Sequence, residues 1–276
     1  NNINDNSSLS DDKVISLFED KNYELWIGTY YGGLNRLKLE ESIYEDKPLI
    51  FHNYRYNPGV KSGLSNNSVM SIVQDKSGIL WIGTFGGGLN KYNKQSDSFT
   101  HFKSNPYNKN SLGDNDVLSL FCDRSNILWI GTHLGQGLNK LEKNKIKFAT
   151  IRRIPGNPNS INDDVVWSIY QDRKKTFWFG TYRGGINIYD IATNKFSVLP
   201  TSPNAVTDYH NRSIAEDAYG NIWIGNYSGG LNRYNPVSKK FTHFKHDPSK
   251  PNTIGANQIQ AIHIDSQSVM WLATFG

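Results

Sequence analysis

Six of the seven tryptophans recur inside one phrase, and that recurrence constrains the fold more than any other feature of the 276-residue chain. The phrase is LWIGTYYGGLNRL around Trp26, LWIGTFGGGLNKY around Trp81 and LWIGTHLGQGLNKL around Trp129. It continues as FWFGTYRGGINIY around Trp178, IWIGNYSGGLNRY around Trp223 and the shorter MWLATFG around Trp271. Successive tryptophans lie 55, 48, 49, 45 and 48 residues apart. A nearly fixed period of this length marks a repeat architecture, in which each unit buries its apolar faces only against its neighbours.

Each unit reads as four short strands. The first is an apolar stretch ending on an aspartate: VISLFED, VMSIVQD, VLSLFCD, VWSIYQD, RSIAED and IQAIHID, which close at Asp20, Asp75, Asp123, Asp172, Asp217 and Asp265. Gly78, Asn126 and Gly220 mark the turns that follow, because Gly and Asn tolerate positive φ. The Trp phrase is the second strand, a Gly-Gly pair turns the chain, and GLNRL or GLNKY is the third. An aromatic residue leads the fourth. Phe99, Phe148, Phe196 and Phe241 each sit nine residues after the third-strand Asn, whereas Phe51 follows Asn35 by 16, through an acidic insertion within KLEESIYEDKPLI.

In ILWIGT, Leu80, Ile82 and Thr84 occupy one strand face and Trp81 and Gly83 the other, so neither face is suited to water. A sheet with one wet face would alternate polar and apolar residues. A propeller blade lies between two neighbours and needs both faces apolar. Ser16, Ser71, Ser119, Ser168 and Ser213, with Ala261 in the last unit, keep the first strand small, as crowding near an axis requires. No window carries the i, i+3, i+4, i+7 apolar pattern of a helix over three turns. The expected fold is therefore all-β, a β-propeller of four-stranded antiparallel blades. A single propeller segment is expected over 1–276, with blades near 9–54, 64–102, 112–151, 161–199 and 206–244 and a partial blade at 254–276. Because the sixth unit stops after two strands, the segment is expected to be cut from a longer chain whose full propeller has seven blades.

Composition narrows the class further. Hydrophobic residues at 37% and charged residues at 20% are those of a soluble globular protein. No apolar run approaches the ~18 residues of a membrane-spanning helix. The opening NNINDNSSLSDD lacks the basic and apolar regions of a signal peptide, which leaves a cytoplasmic protein or one whose leader has been removed. The net charge of +5 is spread over single Lys and Arg residues interspersed with acids, a solvated mixed surface rather than a phosphate-binding face. Cys122 is the single cysteine, excludes an internal disulfide, and reads as a small buried hydrophobe.

The phrase LWIGTxxGGLNRY, preceded by S-I-x-x-D and followed by F-x-x-F, resembles the two-component regulator propeller repeat over essentially the whole chain. The third copy departs from it, since GTHLGQGLN carries one residue more than GTFGGGLN and its turn should bulge. The resemblance implies the periplasmic sensor domain of a bacterial hybrid two-component system. In such proteins propellers precede a small β-sandwich, a membrane helix, and histidine kinase, receiver and helix-turn-helix regions. It further implies recognition of an oligosaccharide that switches on genes for polysaccharide use. Expected partners are that oligosaccharide and a second copy of the receptor, with no direct contact of this segment with nucleic acid or membrane.

Candidate ligand residues are those that vary inside the fixed frame. In the turn after the second strand these are Tyr30, Tyr31, His133, Tyr182, Arg183 and Tyr227. Aromatic rings there suit the C–H face of a sugar, and Arg183 can bond its hydroxyls; Tyr30, Tyr182 and Tyr227 also fit as plugs between blades. The crossovers carry Pro58, Pro106, Pro155, Pro203 and Pro248, each followed by an apolar anchor, which is a structural pattern. The crossover before Val206 is three residues shorter and should open a gap. Just beyond it, His210 and Arg212 break the pattern. Arg212 aligns with Ile15, Met70, Leu118, Trp167 and Gln260, and such rule-breakers often mark functional sites. Trp167 breaks the same column, as a stacking platform or a plug.

Enzyme signals are weak, and no cofactor or metal is expected. One aspartate per blade does not make a catalytic dyad, His52, His101 and His243 fall on outer strands of separate blades, and GTFGGG precedes a strand rather than a phosphate-binding helix. Two readings compete with a sensor: a dimerisation or interaction scaffold without a small ligand, and, by fold analogy alone, an antibiotic-degrading propeller lyase.

Overall fold

The computed structural model describes residues 8–38, 49–133, 137–142 and 147–275, which form strands and turns but no helix. The acidic insertion after Lys38 and the extra residue of GTHLGQGLN fall at 39–48 and 134–136, outside the described residues. Strands β1 (Val14–Glu19), β2 (Glu24–Thr29), β3 (Leu34–Lys38) and β4 (Phe51–Tyr54) make the first sheet. The second has β5 (Val69–Gln74), β6 (Leu80–Thr84), β7 (Gly88–Asn93) and β8 (Ser98–Phe102), and the third β9 (Val117–Cys122), β10 (Leu128–Thr132), β11 (Leu138–Glu142) and β12 (Lys147–Ile151). The fourth has β13 (Val166–Gln171), β14 (Phe177–Thr181), β15 (Ile186–Asp190) and β16 (Lys195–Val198). The fifth has β17 (Asn211–Glu216), β18 (Ile222–Asn226), β19 (Leu231–Asn235) and β20 (Lys240–Phe244), and β21 (Ile259–Ile264) pairs with β22 (Met270–Thr274) in a two-stranded sixth. Every sheet is an antiparallel meander, as expected of propeller blades.

Two compact units divide the strands, Asn1–Leu134 with Asn139–Thr150 and Gly135–Leu138 with Ile151–Gly276. The first holds sheets one to three, save Leu138 and Ile151. The second holds sheets four to six.

The repeated letters each have a mechanical reason. The hairpin between first and second strands closes through Gly78 N–H to the Asp75 carbonyl and Asp75 N–H to the Ile79 carbonyl. The residue three beyond the aspartate is left-handed in all six repeats: Tyr23 at φ 58°, Gly78 82°, Asn126 63°, Lys175 69°, Gly220 78° and Ser268 64°. The aspartate itself does more than turn the chain. One carboxylate oxygen of Asp172 accepts the Thr176 N–H and the other accepts the Trp178 indole N–H. The indole bond recurs six times, at 3.2, 3.0, 2.9, 3.0, 2.8 and 2.9 Å for Trp26, Trp81, Trp129, Trp178, Trp223 and Trp271.

The glycine of the W-I-G phrase is a close-approach residue. A Cβ on Gly83 would stand 2.5 Å from Val117 Cγ1, and one on Gly225 2.6 Å from Ile259 Cγ2, because the first strand of the following sheet passes there. The Asn of GLN is fully buried in the five complete sheets and accepts a backbone N–H from the crossover 25 or 26 residues earlier: Ser10, Ser65, Gly113, Asn162 and Thr207.

Second strands are buried on both faces, as every residue of β6, β10 and β14 is. Neighbouring sheets share their cores. Trp26, Leu34 and Tyr54 pack with Val69, Ile82 and Tyr92 in the first unit, and Trp178 and Ile186 with Ile214, Ile224 and Tyr234 in the second. Burying such side chains contributes about 1.5–3 kcal/mol each. Anchors Leu64, Leu112, Ile161 and Val206 are buried, and the shorter crossover keeps its Thr201–Val206 bridge. Cys122 is half-buried, its Sγ 3.3 Å from Asn126 Oδ1, rather than the fully buried hydrophobe expected.

Candidate functional site

The column that contains Arg212 has a structural identity that the sequence does not announce. In each sheet the pairing of first with second strand slips by one residue, between Val14 and Ser16, Val69 and Ser71, Val117 and Ser119, Val166 and Ser168, Asn211 and Ser213, and Ile259 and Ala261. The residue left unpaired by the bulge is Ile15, Met70, Leu118, Trp167, Arg212 or Gln260. A bulge re-aims its side chain out of the ladder. Beyond it the strands rejoin: Tyr182 N–H donates to the Val165 carbonyl and Tyr227 N–H to the His210 carbonyl. Each sheet thus offers a bulge side chain flanked by the residue that follows its second strand.

These pairs differ between the units. In the first they are Ile15 with Tyr30, Met70 with Phe85 and Leu118 with His133. In the second they are Trp167 with Tyr182, Arg212 with Tyr227 and Gln260 with Phe275, and the first two of these pairs touch. The Trp167 and Tyr182 rings stack at 5.6 Å with 10° between planes. The Arg212 guanidinium lies 3.5 Å from the Trp167 ring centroid and 5.0 Å from that of Tyr227. Its Nη1 donates to Gln260 Oε1 at 3.1 Å. His210 fills the angle between Tyr182, at 4.5 Å, and Tyr227, at 6.1 Å. Arg183 is exposed, with its guanidinium 5.2 Å from the Tyr182 ring.

Electrostatically the cluster is out of balance. Arg212 is half-buried, and burial pushes its pKa down to about 10. Among the described residues no carboxylate pairs with it, and its Nε is shut from water without an acceptor. The Trp167 Nε1 is a second buried donor without a partner. Asp208 is already committed, accepting the His210 N–H, a ring nitrogen of His210 at 3.0 Å, and both the N–H and hydroxyl of Ser228. Burial alone would raise the Asp208 pKa, but these bonds outweigh it and hold it below the usual carboxylate range. Equivalent aspartates lace crossover to turn elsewhere, Asp11 to Tyr31 N–H and Asp163 to Arg183 N–H.

Trp167, Tyr182, Arg183, His210, Arg212 and Tyr227 therefore form one cluster in the second unit. The other candidates lie in the first unit as separate groups. Tyr30 and Tyr31 meet edge to face at 4.5 Å beside Lys13. His133 sits 5.5 Å from the Phe85 ring, its Nδ1 3.6 Å from Asp116, whose pKa is raised by burial and by Asp114. Gln260 and Asp208 were not among the sequence candidates. Gln260 carried a readable signal, a polar residue in a column that is apolar in three repeats. His101 and His243 each donate a ring N–H to a crossover carbonyl, of Gly63 and Ala205, and no group of three His, Cys, Asp or Glu converges among the described residues.

Sheets, bulges and repeated pinning bonds define a β-propeller assembled from one motif. The model of the two-component regulator propeller matches residues 8–31, 63–86, 111–133, 160–183 and 206–228, and the chain belongs to that repeat family. Extracellular domains assigned to two hybrid two-component systems of B. thetaiotaomicron are similar in fold. One aligns at TM-score 0.73 with 22% identity over 98% of this chain and 40% of its own, the other at 0.68 with 22% over 98% and 38%. The chain thus spans about two-fifths of the length of these structures. A catalytically inactive virginiamycin B lyase from Staphylococcus aureus, with quinupristin, aligns at TM-score 0.66 with 13% identity over 96% of this chain and 79% of its own. At these identities the likeness is one of fold. No curated protein sequence matches the chain.

Proposed function

We propose that this propeller is the ligand-sensing part of a hybrid two-component sensor, held on the periplasmic side of a bacterial inner membrane, and that it recognises an oligosaccharide controlling polysaccharide-utilisation genes. The two-component regulator repeats support the class, and the extracellular neighbours support the side of the membrane. The observation that carries the ligand reading is the contact of Arg212 with the Trp167 and Tyr227 rings, with two buried donors lacking acceptors. Polar groups buried without partners are costly, about 1–3 kcal/mol each, so a protein keeps them where a bound group completes them. Aromatic faces beside those donors suit a pyranose ring. Ligand binding would bias the arrangement passed to a kinase elsewhere in the protein, by the difference in affinity between two states. Dimerisation of the receptor belongs to the same proposal.

Thermal unfolding against a panel of oligosaccharides tests it. A ligand present at ~100 times its dissociation constant stabilises by about 2.7 kcal/mol, a readily measured shift in Tm. One sugar class should produce the shift, and Tyr182→Ala should reduce it. Absence of a shift with every sugar, together with concentration-dependent self-association, would favour a scaffold instead.

A further inference from the structure

We infer that the ligand seated on the Trp167–Arg212–Gln260 bulge row carries an anionic group, a carboxylate or a sulfate on a sugar residue, that pairs with the unmatched edge of the Arg212 guanidinium. This inference rests on the oligosaccharide reading above and deepens it.

The argument starts from what Arg212 replaces. Ile15, Met70 and Leu118 stand at the same bulge in the first unit, so the fold tolerates an apolar side chain there. A half-buried cation at such a position loses hydration, and a protein offsets that loss with a carboxylate. None does so here among the described residues: Asp208 is committed to His210 and Ser228, and Asp163 to the Val165 and Arg183 N–H groups.

The unmatched edge has a definite shape. Nη1 is occupied by Gln260, whereas Nε has no acceptor. Nε–H and Nη2–H lie on one side of the guanidinium and form the fork that takes an oxyanion through two parallel hydrogen bonds. Trp167, with its ring centroid 3.5 Å from the guanidinium carbon, and Tyr227, at 5.0 Å, hold that fork in place. Tyr227, 40% exposed, is the more exposed of the two rings against Arg212, and because Nε is closed to water it is the ring that moves aside as the anion enters. Both unmatched groups of the row, Arg212 Nε and Trp167 Nε1, are donors. A neutral hydroxyl could accept from them, but an anion also supplies the missing charge.

The experiment compares three probes by Tm shift and calorimetric titration: tetragalacturonate, the same tetrasaccharide with its carboxyls reduced, and a sulfated galactan tetrasaccharide. Wild-type protein and the variants Arg212→Met and Arg212→Gln are used. Met occupies the bulge at Met70, so Arg212→Met should fold with an equal or higher Tm. The expected result is binding of an acidic probe, no binding of the reduced one, and affinity roughly 10- to 100-fold weaker in both variants. Which acidic probe binds identifies the anion. Equal binding of the reduced tetrasaccharide, or unchanged affinity in the variants, would overturn the anion pairing and leave the sensing reading standing. No binding of any probe, with the broader panel also silent, would remove both.

Discussion

A carboxylate that holds both a turn and an indole ties two strands together at one residue, and its cost of removal can be separated from packing. Trp178→Phe keeps most of the buried ring but deletes the N–H that Asp172 Oδ2 accepts, leaving a nearly buried carboxylate oxygen unmatched. The expected loss is about 1–3 kcal/mol, read from chemical denaturation. A neutral outcome would mean that the six indole bonds are incidental to stability. The left-handed turn position gives a paired test. Gly220 meets only Glu216 Oε1, at 3.8 Å, so Gly220→Ala introduces backbone strain and almost nothing else. A left-handed L-residue costs roughly 1–2 kcal/mol, partly offset by the less flexible unfolded chain, for a net loss of about 0.5–1 kcal/mol. Lys175→Gly should gain a similar amount, because Lys175 holds φ 69° at the equivalent position. Opposite signs in one thermal-melt series support the assignment; equal signs would refute it.

At the scale of the element, strand and loop are joined by the buried Asn of the third strand. Asn90 accepts the Ser65 N–H at 3.1 Å, so Asn90→Ala strands a buried amide and should cost about 1–3 kcal/mol. Hydrogen exchange would locate the effect: the Ser65 amide should exchange faster while β9 stays protected. Uniform acceleration across the sheets would instead place Asn90 in the global core. The blade strands were legible from the Trp phrase because burial on both faces, small first-strand residues and D-x5-W spacing are local and repeated. Three of the six left-handed turns were not, since Tyr23, Lys175 and Ser268 do not favour the conformation they adopt. The site divides in the same way. Arg212 and Trp167 stand out because a repeat supplies its own control column. Their contact, Gln260 as the third member, and the bulge that aims all three depend on how adjacent sheets pack, which no single strand encodes.

For the whole molecule, stability in a repeat protein is close to a sum over units and their shared faces, so hydrogen-bonded carboxylates in separate units add up to its response to pH. Burial alone would raise the pKa of Asp20, but bonds from the Glu24 N–H, the Trp26 indole and Asn22 outweigh it, and Asn221, Trp223 and Tyr219 do the same for Asp217. Asp97 follows, with Tyr92 and Tyr54 hydroxyls overcoming burial, and Asp208 has been described. Each folded carboxyl lies below its unfolded value. Its contribution is therefore complete above the ordinary carboxylate range and lost as pH falls through the folded pKa. Asp116, raised by burial and Asp114, runs the other way and gains as pH falls. The lowered group dominates, so denaturation midpoints should hold from neutrality to about pH 5 and then drop steadily toward pH 3. Asp217→Asn should lower stability at pH 7 and flatten that drop, since one titrating group is gone. A midpoint that does not move between pH 5 and 3, or a variant with the wild-type slope, would show that these hydrogen-bonded carboxylates do not govern the acid response.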